Sequence, residues 1–244
     1  MDACFISTIT YAGEGWLGGQ LKPLESMHIR AIKCLLGVRA TTCTDMALLE
    51  LGYASLDKLL LHRRSVYMKK KMLYIQENDP LNQAMSLCEK LNTCCYRTLM
   101  YARGLRTDPI QEDIMLRKQH MEQKAANSSK RQFYLQVNPE CSVHPVYTTS
   151  GRIPEQYRTA FTRLRLVSHN LKIETGRWSR IVRERRTCQC DGISVQTEHH
   201  ALFKCPLTRH LQPNKDIHDF TTAFNYMNHT AVCSFIYKVL KCLT

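Results

Sequence analysis

Several things are missing from this chain, and each absence narrows what it does. No apolar run approaches the roughly 20 consecutive residues that a helix needs to cross a bilayer, so no membrane partner is expected. The opening residues carry no basic stretch ahead of an apolar one: Asp2 and Cys4 lead into a short apolar segment. No secretory leader is expected on that reading, and the compartment is expected to be intracellular and reducing, nuclear and/or cytoplasmic. The first 126 residues show no strand-like alternation, and no internal period marks a solenoid. No Asp-Asp dipeptide occurs anywhere, which removes the adjacent carboxylates that some enzymes use to hold two metal ions. Acidic residues are scarce as well. Against 34 Lys and Arg stand 21 Asp and Glu, a net charge of +13 over 244 residues. Such an excess suits a polyanionic partner, because each neutralised phosphate releases condensed counterions.

Cysteine is plentiful at 12 residues. In a reducing compartment these are thiols or metal ligands and not disulfides. Cys34, Cys88 and Cys233 sit singly in helical patterns and read as small buried hydrophobes, as does the Cys94-Cys95 pair.

Helical signals follow one another along the chain. Pro23 suits a helix start and Gly37 its end, with Leu24, Met27, His28, Ala31 and Leu35 on one face; His28 reads there as a packed histidine. A short helix from about Asp45, capped by Thr44, stops at Gly52. Ser55 reads as the N-cap of a long helix to about Gln76, apolar at Leu61, Met68, Met72 and Ile75 and basic at Arg63, Arg64 and Lys69 to Lys71. Further helices are expected near 81–91, 95–103 and 109–126. Residues 127–151, rich in Asn, Ser, Thr and Pro, read as a linker, with a short extended piece at Phe133 to Val137.

The segment 152–186 is organised differently. Ten Lys or Arg accompany three Glu there, a net charge of +7. Pro154 opens a helix with an apolar stripe of Tyr157, Ala160, Phe161, Leu164, Val167 and Leu171, while Arg158, Arg165 and His169 lie along another face. A helix packed by one face and basic on another suits a phosphate backbone. Candidate nucleic-acid contacts are Arg158, Arg163, Arg165, His169, Lys172, Arg177, Trp178, Arg180, Arg183, Arg185 and Arg186. Trp178, between two arginines, reads either as a stacking platform for an unpaired base or as a core plug with its N–H satisfied.

Directly after comes the sharpest signal: Cys188-Gln-Cys190, nine residues to His200, four more to Cys205. Three thiolates and one imidazole form a tetrahedral set for a structural Zn2+, whose binding would supply folding energy that a short polar segment lacks. Cys-x-Cys is tighter than the usual gap, and His199 is an alternative to His200. Glu198 is the one nearby residue that could serve as a general base if the zinc were instead catalytic. Helices at about 216–226 and 230–242 complete the chain, the second packed by Val232, Phe235, Ile236, Val239 and Leu240.

Taken together, the run Leu164 to Trp178, the Arg185-Arg186 pair, Cys188-x-Cys190 and Glu198-x-His200-x-Leu202-Phe-Lys-Cys205-Pro206 resemble the C-terminal end of LINE-type (non-LTR) retrotransposon reverse transcriptases. Tyr11-Ala-Gly-Glu14-Gly-Trp16 resembles the motif that follows the polymerase palm in that family. Ile32 to Arg39 and Leu49-Glu50-Leu51-Gly52 resemble the helices after it. The resemblance implies a truncated copy without the polymerase carboxylates or the upstream endonuclease, not an enzyme on its own. Its expected fold is mainly α: a bundle-like, thumb-related helical region at 1–126, the linker at 127–151, and a basic C-terminal domain at 152–244 with a Cys3His zinc knuckle at 188–205. The expected activity is binding of RNA or DNA, with no small-molecule substrate. The alternatives are a non-functional helical remnant or protein-interaction module without nucleic-acid binding, and a small zinc hydrolase using Glu198.

Overall fold

A computed structural model describes residues 21–71, 76, 78–148, 153–214 and 216–244. It is mainly helical, as the sequence leads one to expect. Among the described residues the one extended pairing is an isolated antiparallel bridge between Thr187 and Val195. The Tyr11 to Trp16 motif and the helical residues expected at Met72 and Ile75 lie outside the described residues. None of the described helices is long and apolar enough to cross a membrane.

The chain divides into two compact units. The first comprises Met1–Ala31 and Tyr53–Lys118, the second Ile32–Gly52 and Gln119–Thr244. Helices α1 (Leu21–Leu35), α3 (Leu56–Lys71), α4 (Pro80–Lys90), α5 (Cys94–Gly104) and α6 (Pro109–Ala125) supply the first unit, α1 and α6 continuing into the second. Carboxylates tie this unit together. Glu25 Oε2 accepts from the Leu56 backbone N–H at 2.8 Å and caps α3 from a distant part of the chain. Ser55, expected to cap α3 itself, instead donates its backbone N–H (2.9 Å) and hydroxyl (3.2 Å) to Asp113, which also accepts from Arg117. Within α4, Asp79 accepts from the Leu81 N–H and Pro80 occupies the first turn, where its missing donor does no harm. His28 is buried as expected, its Nε2 3.3 Å from the Ala54 carbonyl.

The second unit holds α2 (Thr44–Leu51), α7 (Ser129–Val137), α8 (Pro145–Thr148), α9 (Glu155–Arg165), α10 (Lys172–Trp178), α11 (Phe220–Phe224) and α12 (His229–Leu243). Cys43, not Thr44, stands at the N-cap of α2, without a side-chain cap, and Gly52 closes that helix with φ +65°. Helix α9 packs along α12, and its Phe161 and Leu164 meet Val232, Phe235 and Val239 in one core with Leu202, Phe220 and Phe224. Burial of these side chains is the main stabilising term, roughly 1.5–3 kcal/mol each.

The linker reading of 127–151 needs correcting. Ser128 accepts from the Arg131 N–H and caps α7, so Phe133 to Val137 is helical and not extended, and Tyr134 and Val137 are buried. Flanking Asn and Ser hid a short apolar pattern at one-turn spacing.

The stripe from Tyr157 to Leu171 is not one helix either. Helix α9 stops at Arg165, and Val167 adopts a left-handed conformation, φ +50°. A β-branched residue rarely does so. Ser168 N–H then reaches back to the Arg163 carbonyl at 2.7 Å, and the chain restarts as α10. Past residue 165, helical phase therefore gives no guide to which side chains face water.

Half-buried His144 packs against Phe161 at the edge of the second unit's core. Its Nε2–H donates to the Phe224 carbonyl at 2.8 Å and its Nδ1 accepts from the Val146 N–H. Burial pushes this imidazole down to about 4 from its ordinary 6.5. The unfolded chain thus holds more protons than the folded one between those values, so stability is lost as pH falls from about 6.5 to about 4. Thermal melts across that window should show this loss, and the acid-side slope should be shallower in His144→Asn. Equal slopes would remove the assignment.

Candidate metal centre and basic surface

Four side chains from two local structures converge. The ligand atoms of Cys188, Cys190, His200 and Cys205 all lie within 4.8 Å of one another. Cys188 Sγ is 3.7 Å from Cys205 Sγ, and Cys190 Sγ is 3.3 Å from His200 Nε2.

A tight hairpin presents the first two. Cys188 N–H donates to the Ser194 carbonyl and Gly192 N–H to the Cys188 carbonyl, with the Thr187 and Val195 bridge beneath. Gly192 has φ +69°, which lets the chain reverse at once. Asp191 fixes the turn by accepting from the Ser194 hydroxyl and from the N–H groups of Ile193 and Ser194, which hold its carboxyl well below the usual range.

A widened helical turn presents the other two. Thr197 Oγ1 caps it by accepting from the His200 N–H, and the Cys205 N–H bonds to the His200 carbonyl, an i→i+5 pattern. In an α-helix five residues span about 1.4 turns, which would splay the two ligands; the wider π-type turn brings them to one side. His200, not His199, belongs to the cluster. The His199 ring packs edge-on against Phe203 and Phe220.

The donor set fits a soft-to-borderline divalent cation. Burial, then the neighbouring Cys188 and Cys205 sulfurs, pushes the Cys190 thiol up to about 12. Cys188 moves the other way: burial raises it, but hydrogen bonds from the Cys190 backbone and thiol, from Cys205 and from Gln196 outweigh that. Three sulfurs this close cannot all ionise unaided, and a central cation removes the obstacle. No motif singles out Gln196. Fully buried, it accepts from the Lys172 N–H at 2.6 Å and directs its amide at Cys188 Sγ at 3.8 Å, so it links the hairpin to α10.

Two of the candidate nucleic-acid residues are not on the surface. Arg165 is 2% exposed and forms a two-pronged pair with Glu50, Nε to Oε1 at 2.6 Å and Nη2 to Oε2 at 3.2 Å, while Nη1 donates to the Val137 carbonyl. Tyr147 donates to the same carboxylate at 2.7 Å. His169 is 1% exposed, with Nε2 3.0 Å from Glu198 and Nδ1 accepting from the Leu171 N–H. Helix α9 is covered on two sides, by α12 and by α7, so its second face is interior; His169 follows the break at Val167. Glu198 is spoken for by the same pair. Burial raises its carboxyl, but His169 holds it below the ordinary value, and it is not part of the metal cluster.

The remaining candidates fall in two groups. Arg163, Lys172, Trp178, Arg180, Arg183 and Arg185 are exposed. Arg158, Arg177 and Arg186 are half-buried. Arg186 is a structural clamp: Nη1 donates to the Ile173 carbonyl, and Nε and Nη2 to that of Ile181. It lies flat over Gly176, where an added Cβ would come within 2.7 Å of the Arg186 side chain. Gly176→Ala should therefore dislodge Arg186 and raise hydrogen exchange across residues 181–186, without altering the metal content of the protein. Unchanged exchange there would mean that the clamp tolerates the methyl group.

Trp178 is 53% exposed and does not plug the core. The Arg39 guanidinium lies 3.9 Å over one face of its ring, held by the His169 carbonyl and Asn170. Arg39 stands 139 positions earlier in the numbering, and nothing in the local sequence announces it.

Comparison with protein-family models, with curated proteins and with solved structures gives no match. The functional reading rests on this chain's own residues.

Proposed function

We propose that this chain is a nucleic-acid-binding fragment of a LINE-type retrotransposon reverse transcriptase, in which a Cys3His zinc knuckle holds a basic, aromatic-bearing segment in place. The observation that carries the reading is the segment from Lys172 to Arg185, exposed from Trp178 onward and tied at both ends to the metal hairpin. Arg180, Arg183 and Arg185 are exposed and flank Trp178, Ile181 and Val182. At one end Gln196 accepts from the Lys172 N–H; at the other the Gln196 N–H bonds the Arg186 carbonyl at 2.8 Å. A metal that fixes 188–205 thereby fixes where the arginines stand. With Arg39 on one face of Trp178, the other face is available to a base, and base–aromatic stacking contributes about 1–3 kcal/mol. The resemblance read from Leu164 to Trp178 and from Glu198 to Pro206 supports the family assignment. The sequence has no Asp-Asp pair for polymerase metals, so the role proposed is binding and not synthesis.

Titration with fluorescent oligonucleotides at increasing salt tests this. Affinity should fall steeply with salt, and replacing Arg180, Arg183 and Arg185 together by Ala should make the log–log slope shallower by about 2 for single strands. Affinity indifferent to salt would reject the reading in favour of a remnant or a protein-binding module.

A further inference from the structure

Beside the metal centre, within the second unit, lies a cleft of about 460 Å³ that the basic segment alone does not explain. We infer that it receives one unstacked nucleotide of a single strand, the base held in the cleft and its phosphate at the rim. This rests on the reading given under Proposed function and specifies its ligand. The volume lies within the range of small-molecule sites, roughly 300–1,000 Å³.

The walls have the chemistry a nucleotide needs. Arg177, Arg183 and Arg186 are among the lining residues. Arg186 is held by backbone carbonyls and contributes fixed positive charge, while Arg177 is held by Ser129 and paired with Glu174. Arg183 is exposed and supplies the mobile donor for phosphate. Phe133, Phe220 and His199 add aromatic surface to the lining, with Phe133 and Phe220 edge-to-face at 5.0 Å. Gln136, exposed on α7, offers a carboxamide to the hydrogen-bonding edge of a base. The one carboxylate among the lining residues, Glu198, is held by His169 Nε2 at 3.0 Å, and the lining arginines outnumber it.

The metal centre builds one side of this cleft. Thr197, Glu198 and His199 line it, while the next residue, His200, turns to the sulfurs. Arg186 immediately precedes the hairpin that carries Cys188. A duplex keeps its bases stacked and presents none to such a cleft, so discrimination should favour single strands.

The experiment measures binding of the full chain to a fluorescent single strand and to a duplex of the same length, with nucleoside monophosphate and inorganic phosphate as competitors. The expected result is a single-strand preference of about tenfold or more, and a single-strand affinity that His199→Ala with Gln136→Ala reduces by roughly 5- to 100-fold, the range for losing one stacked base. Nucleoside monophosphate should displace the strand at concentrations where inorganic phosphate does not. Circular dichroism and metal content of the double variant establish that it is folded. Equal binding of single strand and duplex, both salt-dependent and both unaffected by the double variant, would overturn the cleft and leave the basic segment standing. No binding to either would overturn both.

Discussion

Arg165→Ala is expected to unfold the second unit, lowering its stability by about 3–5 kcal/mol. The substitution leaves the Glu50 carboxylate, 0% exposed, without its two-pronged partner, and the Val137 carbonyl without its donor. Tyr147 and Asn138 would still donate to Glu50, but neither brings a compensating charge. The pair joins α2, α7, α8 and α9, so the whole unit, and not one helix end, should respond. Glu50→Ala should be as harmful, since it strands a guanidinium between Phe161 and Phe224. Replacing both, Glu50→Leu with Arg165→Met, should recover much of the loss, because an apolar pair of similar volume removes the unpaired charge. Denaturant melts of the single and double variants measure this. Single variants that melt like the parent would show that the pair contributes nothing, and any loss of nucleic-acid binding should track loss of folding.

Removing the metal should have an effect of comparable size, concentrated elsewhere. Elemental analysis should find about one zinc per chain, absent from Cys205→Ser. Chelation or that substitution should abolish hydrogen-exchange protection across 187–208 while α3 keeps its own. Structural zinc binds with roughly 10–16 kcal/mol of apparent free energy in small domains, most of it folding energy there. Here the sulfurs of Cys188 and Cys205 also belong to the apolar core, both residues 1% exposed, so the loss should extend to Leu202 and Phe203 beside them. Protection of 187–208 that survives chelation would mean that apolar packing alone holds the hairpin. No zinc in the purified protein would mean that the four side chains do not act as a site.

Some of this was legible in the residues. Apolar spacing together with Pro, Gly and Asp punctuation makes α1, α2, α4, α5, α6 and the start of α3 legible to within a few residues, because those signals are local. The cluster Cys188, Cys190, His200 and Cys205 was legible for a similar reason: its ligands come in two local pairs. What escaped was whatever depends on the far side of a contact. Arg165 and Arg163 are two positions apart and chemically identical, yet one is interior and the other exposed, because the face that carries Arg165 is covered and meets Glu50, 115 residues away. Gln196 carries no motif, and the run that ends at Arg39 says nothing of Trp178; the roles of both come from the groups they meet. Helix α7 was hidden by the polar residues around it, and the end of α9 by Val167, a residue that propensity would keep out of a left-handed turn.

The widened turn from His200 to Cys205 has a consequence for how this stretch tolerates change. An i→i+5 turn is one residue longer than an ordinary helical turn, and the extra residue is what aligns imidazole and sulfur. Deleting any one residue among 201–204 would let ordinary helical bonding close. The backbone would become more regular while the ligand set came apart and Leu202 and Phe203 rotated out of the core. Length, and not only composition, is therefore under constraint here: a substitution at the exposed Lys204 can be absorbed, but a lost codon cannot.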